Sequence, residues 1–102
     1  MPINVVLQNI DGSSRLKSSV DGEGGWNKCL PVGDSTFPLL LYVDPYGNAF
    51  FNPLQMPELL DELEFLISQC SDEKSITLLE KLRELAQECG ASAHVYLRFV
   101  GD

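Results

Sequence analysis

The sequence predicts a single α+β domain, a mostly antiparallel sheet of four or five strands with a C-terminal helical hairpin packed on one face. Three observations point there. Short β-branched and apolar runs bounded by turn residues fill the first half and recur at residues 93–100. Two leucine-rich stretches of helical period lie between them. A length of 102 residues, 44% of them hydrophobic, supplies one core but not two. The domain therefore spans residues 1–102, with 21–36 as an irregular connection.

Residues 3–8 (INVVLQ) read as a first strand, and Asp11-Gly12 is a hairpin dipeptide that sends the chain back along residues 15–20. Four glycines and a proline break the pattern between Asp21 and Thr36, where Trp26, Cys29 and Leu30 share helical spacing and predict one turn against the core. Leu39-Leu40-Leu41-Tyr42-Val43 reads as a buried strand. Asp44-Pro45-Tyr46-Gly47 fits a type I turn, and 48–51 completes a second hairpin.

Pro57 suits the first turn of a helix. Leu59, Leu60, Leu63, Leu66, Ile67 and Cys70 then draw one apolar stripe, and Leu78, Leu79, Leu82, Leu85, Ala86 and Cys89 draw a second. Leu63, Leu66, Leu82 and Leu85 are expected to be buried. Ser71 or Asp72 caps the second helix, and Gly90 is expected to end it in a left-handed conformation. The likeness of the two stripes needs no duplication, since two helices packed on one sheet share a periodicity. In the last strand, 93–100, His94, Tyr96 and Arg98 alternate with Val95, Leu97 and Phe99.

The net charge of -8 disfavours direct binding to nucleic acid or to anionic membranes. Its distribution is uneven: residues 58–89 hold nine acidic and three basic side chains, so the helical half carries the field. No basic-then-apolar leader is visible at Met1-Pro2-Ile3-Asn4, and the longest apolar run, residues 39–43, is far too short to span a bilayer. Three cysteines without a CxxC spacing fit a reducing compartment, so a cytoplasmic location is expected.

No catalytic constellation emerges. His94 is the single histidine and has no HExxH, nucleophile elbow or Cys-His pattern around it. Gly22, Gly24, Gly25 and Gly33 lack the P-loop pattern, and Asp21, Glu23 and Asp34 lack calcium-loop alternation. Cys70 and Cys89 end apolar stripes and read as core; Cys29 beside Lys28 stays unassigned. The expectation is a protein that is not an enzyme and uses no cofactor or metal.

Phe65 does not fit the helix that carries it. At 100° per residue it falls about 160° from the centre of the apolar stripe, among Glu58, Asp61, Glu62 and Glu64. An aromatic ring on an acidic face suits an interface, with Phe65 as anchor and Glu58, Asp61 and Glu62 as steering charges. The structural alternatives are a loop folded over the ring, such as the Trp26 segment, or a ring that is simply exposed. Tyr46 and Gln55, which their turns do not require, are further candidates for partner contact.

The stretch YVDPYGNAFFNPLQMPELLDELEFL, with its second leucine-rich helix and the ending VYLRFVGD, resembles small acidic uncharacterised bacterial proteins over residues 38–102. Size, acidity and layout are similar in type to the immunity proteins of bacterial toxin systems. That resemblance implies a protein partner, most concretely a toxin or enzyme with a basic surface, and brings no functional residues with it. The alternatives are an accessory subunit or homodimer, and, ranked last, a small enzyme using His94, Tyr96 and Arg98.

Overall fold

Alternation along the last strand organises the molecule: Val95, Leu97 and Phe99 are buried, while Tyr96, Arg98 and Val100 are half-exposed. A computed structural model describes residues 4–9, 14–20, 35–43, 47–92 and 94–101, with the backbone path alone for 14–20. The elements run β1 (Asn4–Asn9), β2 (Ser14–Val20), β3 (Asn48–Phe51), α1 (Met56–Gln69), α2 (Glu73–Gly90) and β4 (Val95–Val100). The fold is α+β.

β4 lies between β1 and β3 and is antiparallel to both, through pairs such as Leu7↔Leu97 and Phe51↔Leu97. β2 runs along the outer edge of β1, giving the order β2-β1-β4-β3. Its register with β1 breaks between Val6 and Gln8. The regular antiparallel body is thus three strands wide rather than the expected four or five. A broken ladder on one side and a missing strand at 39–43 account for the difference.

Residues 39–43 form a turn of helix, with Leu40–Tyr42 as its 3-10 segment. Leu39, Leu40 and Val43 are buried, Leu41 is half-buried and Tyr42 is exposed, an i, i+1, i+4 pattern that a strand could not produce. A five-residue apolar run does not declare its period, and here helical spacing wins. The predicted hairpin is therefore absent, and β3 pairs with β4 instead. Trp26, Cys29 and Tyr46 lie outside the described residues.

Both helices behave as their stripes predict. Leu59 and Leu63 of α1 and Leu79, Leu82, Leu85, Ala86 and Cys89 of α2 enter one core with Val5, Leu7, Phe51 and Phe99. Leu66, expected to be buried, is only partly so and packs at the core's margin with Leu60, Ile67, Cys70 and Leu78. Phe51 and Phe99 meet edge-on with ring centroids 5.6 Å apart. The Asp72 carboxylate caps α2 by accepting from the Ser75 amide at 3.0 Å and its hydroxyl at 2.8 Å. Asn52 and Gln55 form a reciprocal capping box before α1, which assigns Gln55 to local structure rather than to a partner.

The end of α2 departs from expectation. Gly90 stays within the right-handed helix, and a Cβ there would lie 3.2 Å from Met56 Cβ. Its small size admits the start of α1, which makes the two helices antiparallel neighbours. The positive φ falls on His94 instead, at 62°. His94 is exposed and precedes β4 rather than belonging to it. Left-handed backbone is costly for a residue with a Cβ, so His94→Gly is expected to raise stability by up to about 1 kcal/mol in a urea titration. A loss of stability would show that the imidazole contributes a contact.

Candidate functional site

Glu58, Asp61, Glu62 and Phe65 follow one another at i, i+3, i+4 and i+7 and so share a face of α1 distinct from its core stripe. Residues 35–43 fold against that face. Phe37 is buried at 8% exposure, and its ring centroid lies 5.9 Å from that of Phe65 at an interplanar angle of 52°. Phe65 itself stays 54% exposed. Thus a loop does reach the misplaced aromatic, but it leaves half of it open.

Glu62 is the clamp that holds this loop. Its Oε1 accepts from the amides of Leu39 at 3.3 Å and Leu40 at 3.0 Å, and its Oε2 accepts from Leu39 at 3.2 Å. These amides begin the helical turn, whose later amides are satisfied by Phe37, Leu39 and Leu40 carbonyls. Glu62 is only 7% exposed, which removes it from the set of steering charges. Burial raises its pKa; the Leu40 and Leu39 hydrogen bonds pull the other way, and the Glu58 charge adds to the rise.

The result is a recess of about 410 Å³ lined by Thr36, Phe37, Asp61, Glu62 and Phe65. Its chemistry is two aromatic rings with carboxylates at the rim. Glu58 and Asp61 are exposed beside it. Glu64 is occupied by Arg83 at 2.7 Å, across the helical hairpin. Of the expected anchor set the structure brings together Phe65, Glu58 and Asp61, converts Glu62 to a structural role, and adds Phe37. At 100° per residue Glu62 lies between Phe65 and Leu66 around the helix, a local signal that could have marked it for cover.

The other face of the sheet forms a second surface. Phe50 and Tyr96 meet edge-on at 6.5 Å, and the Arg98 guanidinium carbon sits 5.4 Å from the Phe50 ring centroid. Arg98 donates from Nη1 to Gln8 Oε1 at 2.9 Å, and from Nε and Nη2 to Asn48 Oδ1 at 3.4 and 3.2 Å. Tyr96 and Arg98 share this face as predicted; His94 stands outside the strand. Among the described residues no group of three or more His, Cys, Asp and Glu side chains is placed to hold a metal ion, and no helix is long and apolar enough to cross a membrane.

Comparison with family models, curated proteins and solved structures finds no match to this chain.

Proposed function

We propose that this domain is a non-catalytic protein-binding module of the immunity type, which covers a basic surface of a toxin or enzyme with the face of α1 that bears Phe65 and with Phe37 of the segment packed on it. The observation that carries this reading is Phe65, half-exposed on a helix that does not need it for its core and flanked by the exposed carboxylates of Glu58 and Asp61. Aromatic anchors supply contact energy when partner binding dries them, and rim charges accelerate encounter. A four-stranded scaffold, with β2 as its outer strand, and a cytoplasmic location belong to the same proposal. The alternative, an accessory subunit or homodimer, draws on the open sheet face.

The test uses a partner captured from the native host, identified, purified and titrated against variants. Phe65→Ala is expected to raise the off-rate and cost on the order of 2 kcal/mol of affinity. The Glu58→Gln, Asp61→Asn double variant is expected to slow association, with an off-rate close to wild type, and to flatten the salt dependence of the on-rate. Unchanged rates in both variants, with folding intact, would remove α1 from the interface.

A further inference from the structure

Among the residues whose side chains are described, the sheet face away from the helices differs in charge from the helical side. Every described acidic residue, from Glu58 to Glu88, lies on the helices or in the Asp72 cap. Among the strand residues whose side chains are described, the opposite face has one charged group, Arg98, held between Gln8 on β1 and Asn48 on β3. Both holders are neutral amides. They fix the guanidinium's position without neutralising it, and no carboxylate reaches it among the described residues.

A guanidinium has five N–H donors. Three are engaged, one by Gln8 and two by the Asn48 oxygen, which leaves two without an acceptor among the described residues. The plane is further positioned by the Phe50 ring beneath it, with Tyr96 edge-on to that ring. Phe50 is nevertheless 51% exposed. A fixed cation with two donors unengaged among the described residues, bordered by an open aromatic surface, is complementary to an anion attached to an apolar group.

From this arrangement we infer that the outer sheet face is a second docking surface, which takes a protein segment presenting a carboxylate beside an aromatic or large apolar side chain. Arg98 receives the carboxylate on its remaining donors, and Phe50 and Tyr96 receive the apolar group. The surface is on the opposite side of the sheet from the α1 recess, so it stands or falls independently of the proposed use of that recess.

N-acetylphenylalanine, which joins a carboxylate to one ring, is a minimal probe, and N-acetylphenylalaninamide is its neutral control. Titrated into isotopically labelled protein, the acid is expected to shift the Arg98 Nε–H resonance and the Phe50 and Tyr96 ring resonances, saturating at roughly millimolar concentration. The amide should leave the Arg98 signal unmoved. Arg98→Gln should abolish the response while the core resonances keep their wild-type positions, and Phe50→Ala should weaken it at least threefold. Equal responses to acid and amide would overturn the inference by showing an apolar patch without carboxylate recognition. So would inorganic phosphate binding as tightly with no dependence on Phe50, which would mark an indiscriminate anion site. Shifts of the same resonances on dilution without ligand would overturn it in favour of a second copy of the chain.

Discussion

Leu82→Ala is expected to lower the free energy of unfolding by about 2–5 kcal/mol, the range for deleting a buried leucine side chain where the surroundings collapse only partly. Leu82 is fully buried near the middle of α2, within the core that also takes residues from the sheet and from 35–43. The cost therefore combines lost burial with a cavity that several elements would have to close. Leu54→Ala is the control, since Leu54 is 90% exposed and its truncation should fall within about 0.5 kcal/mol of wild type. Urea midpoints at unchanged slope would measure both. A Leu82→Ala loss as small as the Leu54→Ala effect would contradict the packing described.

The second large effect concerns the clamp. Glu62→Ala leaves the amides of Leu39 and Leu40 without their acceptor, a loss of about 1–3 kcal/mol for an unsatisfied buried donor. Glu62→Gln keeps an oxygen in place and removes a charge that burial disfavours, so at neutral pH it is expected to match or exceed wild type. The sign follows from linkage. The folded state holds the Glu62 proton more tightly than the unfolded chain does, because its pKa is raised from 4.5. The contribution of Glu62 is thus complete below 4.5 and is lost as pH rises through the higher folded-state value. Subtracting Glu62→Gln stabilities from wild-type stabilities across that interval removes the other carboxylates from the comparison. A difference that moves in favour of wild type as pH rises would reverse the sign and refute the assignment.

Local features of the sequence reveal local structure. Leucine spacing, Pro57 and Asp72 locate α1 and α2 because a helix satisfies its own backbone and shows its buried face every three or four residues. Alternation locates β4, and β-branched or aromatic runs beside turn residues locate β1 and β3. Their pairing is another matter: β3 and residues 39–43 look like hairpin partners because they are near in sequence, whereas β3 joins β4. Nothing in the run LLLYV distinguishes a buried strand from a buried helical turn, and the deciding contact is a carboxylate 22 and 23 positions away. Phe65 was legible as an anomaly because it violates its helix's period. Phe37, which half explains it, was not, because the contact depends on how the loop returns to α1. Glu62 failed as a surface charge for the same reason.

The position of β4 also constrains how the molecule is made. The strand at the centre of the regular sheet is the last described element to leave the ribosome, and the Arg98–Gln8 bond joins residues 90 positions apart. Until β4 emerges, β1 and β3 have no common neighbour, and the leucine faces of α1 and α2 lack Val95, Leu97 and Phe99, which share their core. Such long-range pairing slows folding and postpones closure of the sheet until β4 has emerged. During that interval a nascent chain exposes an apolar helical seam that the finished protein conceals. A chaperone that binds extended or amphipathic leucine-rich segments would meet this protein at that stage rather than after the sheet has closed.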